Sequence, residues 1–234
     1  MNPRVHALVV TFVLVAASSS VAQQTPREPA GPPGAVPEPL PLAILDVRGA
    51  SVGLPTGIGW TPAVPVGAQI PGRGIGFDVG AHLYPLRTKL VAIGLGGTVL
   101  VGRGRTSPPD TSGTATSTLT PLPGVRTTLT GLVPQVSFNF GHRLGWSYLS
   151  GGIGRTRVSS EVTGTTTGSL VRNVESAWAR TLNYGGGARW FVNDHMAFSL
   201  EIRWFKVSPV AATGTSPALP RQSLITAGAG VSFK

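Results

Sequence analysis

The stretch Ser223–Lys234, SLITAGAGVSFK, restricts the fold of this chain more than any other. Its residues alternate. Ile225, Ala227, Ala229, Val231 and Phe233 fall on one face; Leu224, Thr226, Gly228, Gly230 and Ser232 fall on the other. A period of two belongs to a strand. An apolar row ending in an aromatic, backed by Gly, Ser and Thr, suits a strand with hydrocarbon outside and a crowded interior. Other segments repeat the pattern, so the expected fold is all-β: an eight-stranded antiparallel up-and-down transmembrane β-barrel.

The start of the chain supports export. Arg4 and His6 precede the apolar run Ala7–Ala17, and Ser20 and Ala22 are small. A positive start, a short apolar core and small residues read as a signal peptide over 1–22, removed after Ala22. The run is too short to favour a spanning helix; the competing reading is a retained N-terminal anchor. Residues 23–42, which include QQTPREPAGPPGAVPEPLP, are too rich in proline for helix or ladder pairing, so they should form an extended periplasmic linker. The barrel is expected over 43–234.

Composition narrows the class. There is no cysteine, so no disulfide can brace an exported fold. Only 12% of residues are charged and 32 are Gly, yet no second long apolar run follows the first. Helical membrane proteins need such runs, whereas barrels dilute theirs by alternation.

Eight strand-like segments follow Ala43. Three are clean. Ile75, Phe77, Val79, Ala81 and Leu83 alternate with Gly76, Asp78, Gly80, His82 and Tyr84. Val91, Ile93, Leu95, Val99 and Val101 alternate with Ala92, Gly94, Gly96 and Thr98, and Met196, Phe198, Leu200, Ile202 and Trp204 with Ala197, Ser199, Glu201 and Arg203. Leu132, Val136, Phe138 and Phe140 form another outward row, although Pro134 removes a ladder donor there, which counts against the strand or marks a bulge. Segment 44–54 carries apolar residues on both parities, which a bulge near Gly49 would reconcile. Segment 146–159 is blind in parity because of Gly151, Gly152 and Gly154. Trp60, Trp146, Tyr148, Trp178, Trp190 and Trp204 are candidates for aromatic girdles.

Connections alternate between short (85–89, 141–145, 192–195) and long (55–72, 104–125, 161–175, 208–222). This fits periplasmic turns and mobile extracellular loops. In the hairpin around Asn193, Trp190 and Phe198 must share the lipid face. Pairing Val192 with Met196 satisfies this and leaves Asn193-Asp194-His195 as the loop, where Asn and Asp tolerate a left-handed conformation.

The run Asn183-Tyr184-Gly185-Gly186-Gly187-Ala188-Arg189-Trp190-Phe191, then Asn193-Asp194, then Phe198-Ser199-Leu200-Glu201-Ile202-Arg203-Trp204, resembles the closing half of OmpA-like outer-membrane β-barrel domains. The resemblance covers 43–234 as a pattern and is specific over 177–234. It implies a bacterial outer-membrane location and insertion by the outer-membrane assembly machinery, with Phe233 in the recognised C-terminal strand. Two features depart from the family: Lys234 follows the aromatic, and there is no room for a peptidoglycan-binding domain after the barrel, so cell-wall anchoring is not carried over.

Asp78, His82, Gln135, Asn139, Arg189, Glu201 and Arg203 are expected to line the lumen. The pairing above places Glu201 opposite Gly187 and diagonal to Arg189, within side-chain reach. A Glu between two Arg in so narrow a bore reads as a satisfied polar core or as the gate of a narrow pore for small solutes. Enzymatic chemistry is not expected. Lipid-modifying barrels need a His beside a nucleophile at the outer leaflet, but His142 and His195 fall in periplasmic turns and His82 near the periplasmic end. No cofactor motif or metal-ligand spacing is present. A soluble lipocalin-like binder would bury its apolar rows around a ligand.

Positive charge gathers in the outward half. Arg103, Arg105, Arg126, Arg155, Arg157 and Arg180 lie there, with few acids beside them. Guanidinium forks match phosphate, so this belt could bind lipopolysaccharide; the alternative is a solvated rim. The net charge of +10 does not indicate nucleic acid, which an exported barrel does not meet. The expected protein is monomeric, in contact with outer-membrane lipid, and structural or surface-interacting in role.

Overall fold

The computed structural model describes residues 40–56, 69–88, 91–106, 124–142, 144–163, 172–214 and 216–234. All of them belong to one compact unit, Pro37–Lys234. The signal peptide, linker residues 23–39 and Trp60 lie outside the described residues.

Every regular element described is a strand: β1 (Ala43–Gly53), β2 (Arg73–Arg87), β3 (Val91–Thr106), β4 (Gly124–His142), β5 (Gly145–Thr163), β6 (Arg172–Glu175), β7 (Ala179–Phe191), β8 (Met196–Val207) and β9 (Gln222–Phe233). Both β6 and β7 pair with β5, the first at Ser159–Val162 and the second at Gly145–Thr156. They are one stave interrupted at 176–178, so nine strands make eight staves. Each stave is antiparallel to the next, and β9 pairs with β1 to close the ring.

The register fixes the size of the barrel. Following the ladder from Ala43 through Leu83, Leu95, Val136, Gly151, Tyr184, Trp204 and Ile225 returns to β1 opposite Gly53, ten residues from the start. With eight staves this shear gives a strand tilt of about 41° and a backbone radius of about 8 Å. Such a bore holds side chains and little else.

The expected exterior and interior rows of β2, β3, β4, β8 and β9 are those observed. Segment 43–53 differs. It runs without a bulge, in one register against both β2 and β9. Leu45 and Val47 face out; Ile44, Asp46, Arg48, Ala50 and Val52 face in. Apolar residues occur on both parities because the interior itself becomes apolar at the long-loop end. Pro134 makes no bulge either. The β4–β5 ladder lapses between Leu132–Arg155 and Val136–Gly151 and resumes in the same register. Trp146 and Tyr148 are not girdle residues: both are buried in the bore, 3% and 2% exposed.

The interior has three layers. At the long-loop end Val52, Leu100, Leu129, Val133, Val158 and Phe205 form an apolar cluster. The connection 208–221, expected to be mobile, folds back through the bridges Val210–Leu219 and Thr213–Ser216 and buries Leu219 in that cluster. At the short-turn end lie Ile44, Tyr84, Ala92 and Trp146. Charged residues occupy the layer between.

The Val192–Met196 turn has the expected pairing, with Val192 N–H donating to the Met196 carbonyl at 3.0 Å. Its closure is different. No described non-glycine residue has positive φ. The Asn193 side-chain oxygen instead accepts from the backbone N–H groups of His195 (2.9 Å) and Met196 (2.8 Å).

Candidate functional site

Three arginines and three carboxylates are packed in the middle of the bore. Period-two geometry brings them there: Asp46 and Arg48 from β1, Asp78 from β2, Arg189 from β7, Glu201 and Arg203 from β8. Tyr148 of β5 joins them. The Arg48, Arg189 and Arg203 side chains are each 1% exposed. An unpaired buried ion costs several kcal/mol, so this layer depends on complete pairing.

Arg48 is the hub. Its guanidinium meets Asp78 at 2.9 Å, Asp46 at 2.9 Å and Glu201 at 3.4 Å, and donates to the Tyr148 hydroxyl at 3.2 Å. Arg189 grips Asp46 with two bonds, from Nε at 3.0 Å and Nη2 at 2.7 Å. Ser232 also donates to Asp46. Arg203 grips Glu201 from Nε (3.1 Å) and Nη2 (3.0 Å), and reaches Asn183 Oδ1 at 2.6 Å and Ser150 Oγ at 2.8 Å. The Tyr148 hydroxyl donates to Glu201 at 2.7 Å, and its ring lies 4.1 Å beneath the Arg189 guanidinium. Fork-to-carboxylate pairs of this kind are among the strongest polar contacts available to side chains.

Glycines make the space. A Cβ on Gly187 would stand 2.2 Å from the Leu200 carbonyl oxygen and 2.6 Å from the Tyr148 hydroxyl. One on Gly185 would stand 2.8 Å from Arg203 Cα. The Gly185–Gly187 run therefore admits Tyr148 and Arg203 to the bore.

Of the residues expected in the lumen, Asp78, Arg189, Glu201 and Arg203 belong to this network. Glu201 lies opposite Gly187 and between two arginines, but these are Arg203 and Arg48; Arg189, the expected diagonal neighbour, pairs with Asp46 instead. His82 Nδ1 lies 3.7 Å from Asp46. Gln135 and Asn139 are buried but bond elsewhere, to Thr98 at 2.9 Å and to Ser137 at 3.0 Å. Asp46, Arg48 and Tyr148 escaped the sequence reading. Leu45 and Val47 on the outward parity of β1 were the available signal, since they force Asp46 and Arg48 inward.

The outward arginines form rows on the barrel exterior. Arg105 lies opposite Arg126, which lies opposite Glu161; Arg155 lies opposite Arg180. Arg126 pairs with Glu161 at 3.3 Å. Arg157 pairs with Glu175 at 2.7 Å and covers the Trp178 ring at 4.9 Å. Arg103, Arg105, Arg155 and Arg180 have no carboxylate partner among the described residues. Phe233 is on the exterior, between Leu45 and Met196.

No protein-family model matches the chain, and no curated protein matches it by sequence. Among solved structures the chain is similar to Neisserial surface protein A, with 12% identity and a TM-score of 0.49 over 82% of this chain and 96% of that one. It is similar to Ail, the attachment invasion locus protein of Yersinia pestis solved with the heparin analogue sucrose octasulfate, at 9% identity and a TM-score of 0.48 over the same shares. The N-terminal β-barrel domain of Pseudomonas aeruginosa OprF matches at 12% identity and 0.36, again over 82% and 96%.

Proposed function

We propose that this chain is a monomeric integral protein of the bacterial outer membrane, of the small OmpA-like class, with a structural or surface-interaction role. The inverted polarity of the barrel carries the reading. Val47, Phe77, Leu95, Phe138, Leu149, Leu182, Phe198 and Ile225 are exposed around the ring, while three ion-paired arginines are buried inside it. Water would reverse that arrangement; a lipocalin-like protein buries its apolar rows. On β4 the apolar face from Leu132 to Phe140 rises about 20 Å at the tilt above, close to the height of a lipid-facing band. Trp178, Trp190 and Trp204 are exposed on that outer face and serve as its girdle.

The lumen is closed in this reading. The neutral charged layer fills the centre, and the apolar cluster with Leu219 stops the long-loop end. Small solutes have no route unless both layers open. No catalytic role is assigned in this reading, and what supports it is that His82 sits against Asp46 inside the bore while His195 is in an exposed short turn, remote from the long-loop end. The assembly machinery recognises the final strand ending at Phe233, and the basic rim meets lipopolysaccharide.

The test is migration on SDS gels with and without boiling, followed by conductance in planar bilayers. A heat-dependent shift with no stepwise current is expected. Solubility without detergent and no shift would overturn the membrane reading. A folded, inserted protein with discrete current steps would replace the closed barrel with a narrow gated pore.

A further inference from the structure

The belt of arginines is uneven, and one part of it stands over a groove. On the exterior of β4, β5 and β7 a depression of ≈ 620 Å³ is lined by Leu132, Pro134, Ile153 and Trp178, with Arg155 and Arg180 beside them. Its origin is local. Pro134 presents only a flat ring and no ladder donor, and the β4–β5 ladder lapses there. Trp178 closes one side from the interruption between β6 and β7.

The charges at this groove are unusual. Arg155 and Arg180 are direct cross-strand neighbours, both exposed, with no carboxylate partner among the described residues. Like charges placed opposite one another destabilise a sheet, so the pair gains from an anion held between them. Nearby Arg157 is already committed to Glu175 and to the Trp178 ring, and Arg126 to Glu161. The groove therefore offers apolar walls for a chain and two free guanidinium forks for a phosphate. It lies where the apolar band gives way to the basic rim, since Leu132, Arg155 and Arg180 share one row.

We propose that this groove is a binding site for one phosphorylated, acylated glycolipid of the outer leaflet, with an acyl chain against Leu132, Pro134, Ile153 and Trp178 and a sugar phosphate bridging Arg155 and Arg180. This rests on the outer-membrane reading and narrows its basic belt to two residues. Guanidinium forks take phosphate oxygens in paired bonds, and a sugar phosphate monoester brings them a net negative charge that a zwitterionic choline headgroup lacks.

The experiment is binding of diphosphoryl lipid A to the full chain in detergent, counted by native mass spectrometry. Dephosphorylated lipid A, phosphatidylglycerol and inorganic phosphate serve as competitors. The variants are R155A/R180A and, for comparison, R103A/R105A. One bound lipid A is expected, with affinity falling about tenfold or more in R155A/R180A and little in R103A/R105A. Equal losses in both variants would mean a diffuse rim potential and overturn the site. Full displacement by inorganic phosphate would make it a free-anion site, and equal binding of phosphatidylglycerol a phospholipid site; either overturns the proposal. Heat-dependent gel migration is read on every sample. A shift retained alongside lost selectivity defeats the groove and leaves the membrane barrel standing; a lost shift defeats both.

Discussion

Replacing Arg48 with methionine tests whether the charged layer holds the barrel together. The side chain is 1% exposed and meets three carboxylates. Two of them keep strong partners when it is removed: Asp46 retains both bonds from Arg189, and Glu201 retains those from Arg203 and Tyr148. Asp78 loses its charge-assisted hydrogen bond to Arg48 at 2.9 Å, its one ion pair among the described residues. The interior changes from three charges of each sign to a surplus of one negative. Breaking a buried pair from one side costs about 3–5 kcal/mol, because the abandoned charge remains desolvated. The double variant R48M/D78N restores neutrality with two intact Arg–carboxylate pairs, and should cost only about 1–2 kcal/mol. The two sites are then coupled strongly, with the second change repairing the first. Urea unfolding in lipid bilayers, followed by tryptophan emission and by the heat-dependent gel shift, measures both. A single-variant cost under about 1 kcal/mol would show that water already reaches this layer, and would refute the dry, paired interior. A double-variant cost equal to the sum of the two singles would refute the pairing itself.

Gly187→Ala should cost about 1–3 kcal/mol by pushing against the Leu200 carbonyl and the Tyr148 hydroxyl, measured by the same unfolding assay. Asn193→Ala removes the acceptor for two backbone N–H groups of the turn, and should lower stability by about 1 kcal/mol without altering the β7–β8 pairing; amide hydrogen exchange at His195 and Met196 reports it. Phe233→Ala should reduce the amount of inserted protein in cells while the refolded barrel loses no more than about 2 kcal/mol, because the ring is 40% exposed on the outer face; pulse-chase assembly and equilibrium unfolding separate the two effects.

Alternation revealed the barrel because on most staves one face must meet hydrocarbon along its length. It also fixed the β7–β8 register, where Trp190 and Phe198 had to remain outside together. The same signal failed on β1 and β5 for physical reasons. The bore is lined by charge in the middle and by Val52, Leu100, Leu129 and Phe205 at the long-loop end, so apolar character does not mark the outside there. On β5 three glycines hide the parity, and Trp146 and Tyr148 read as lipid-facing because aromatics are common at both membrane edges. The partners of the lumen arginines could not be read from one hairpin, since Arg189 crosses the bore to Asp46 on a stave 143 residues earlier in the chain. The folded 208–221 connection was likewise hidden: Leu219 sits between prolines and small residues with no strand period, and only its depth in the apolar cluster reveals its role.

The balance of three positive and three negative groups in the bore has an electrical consequence. Those six residues sum to zero, so the whole surplus of +10 lies elsewhere on the chain. The bore is neutral, and the other charged side chains described on the barrel are exposed or half-buried, where ions of the medium can reach them. At physiological ionic strength exposed charges are screened beyond about 8 Å, whereas buried pairs feel little of this. Salt should therefore alter what the protein attracts and leave almost untouched what keeps it folded.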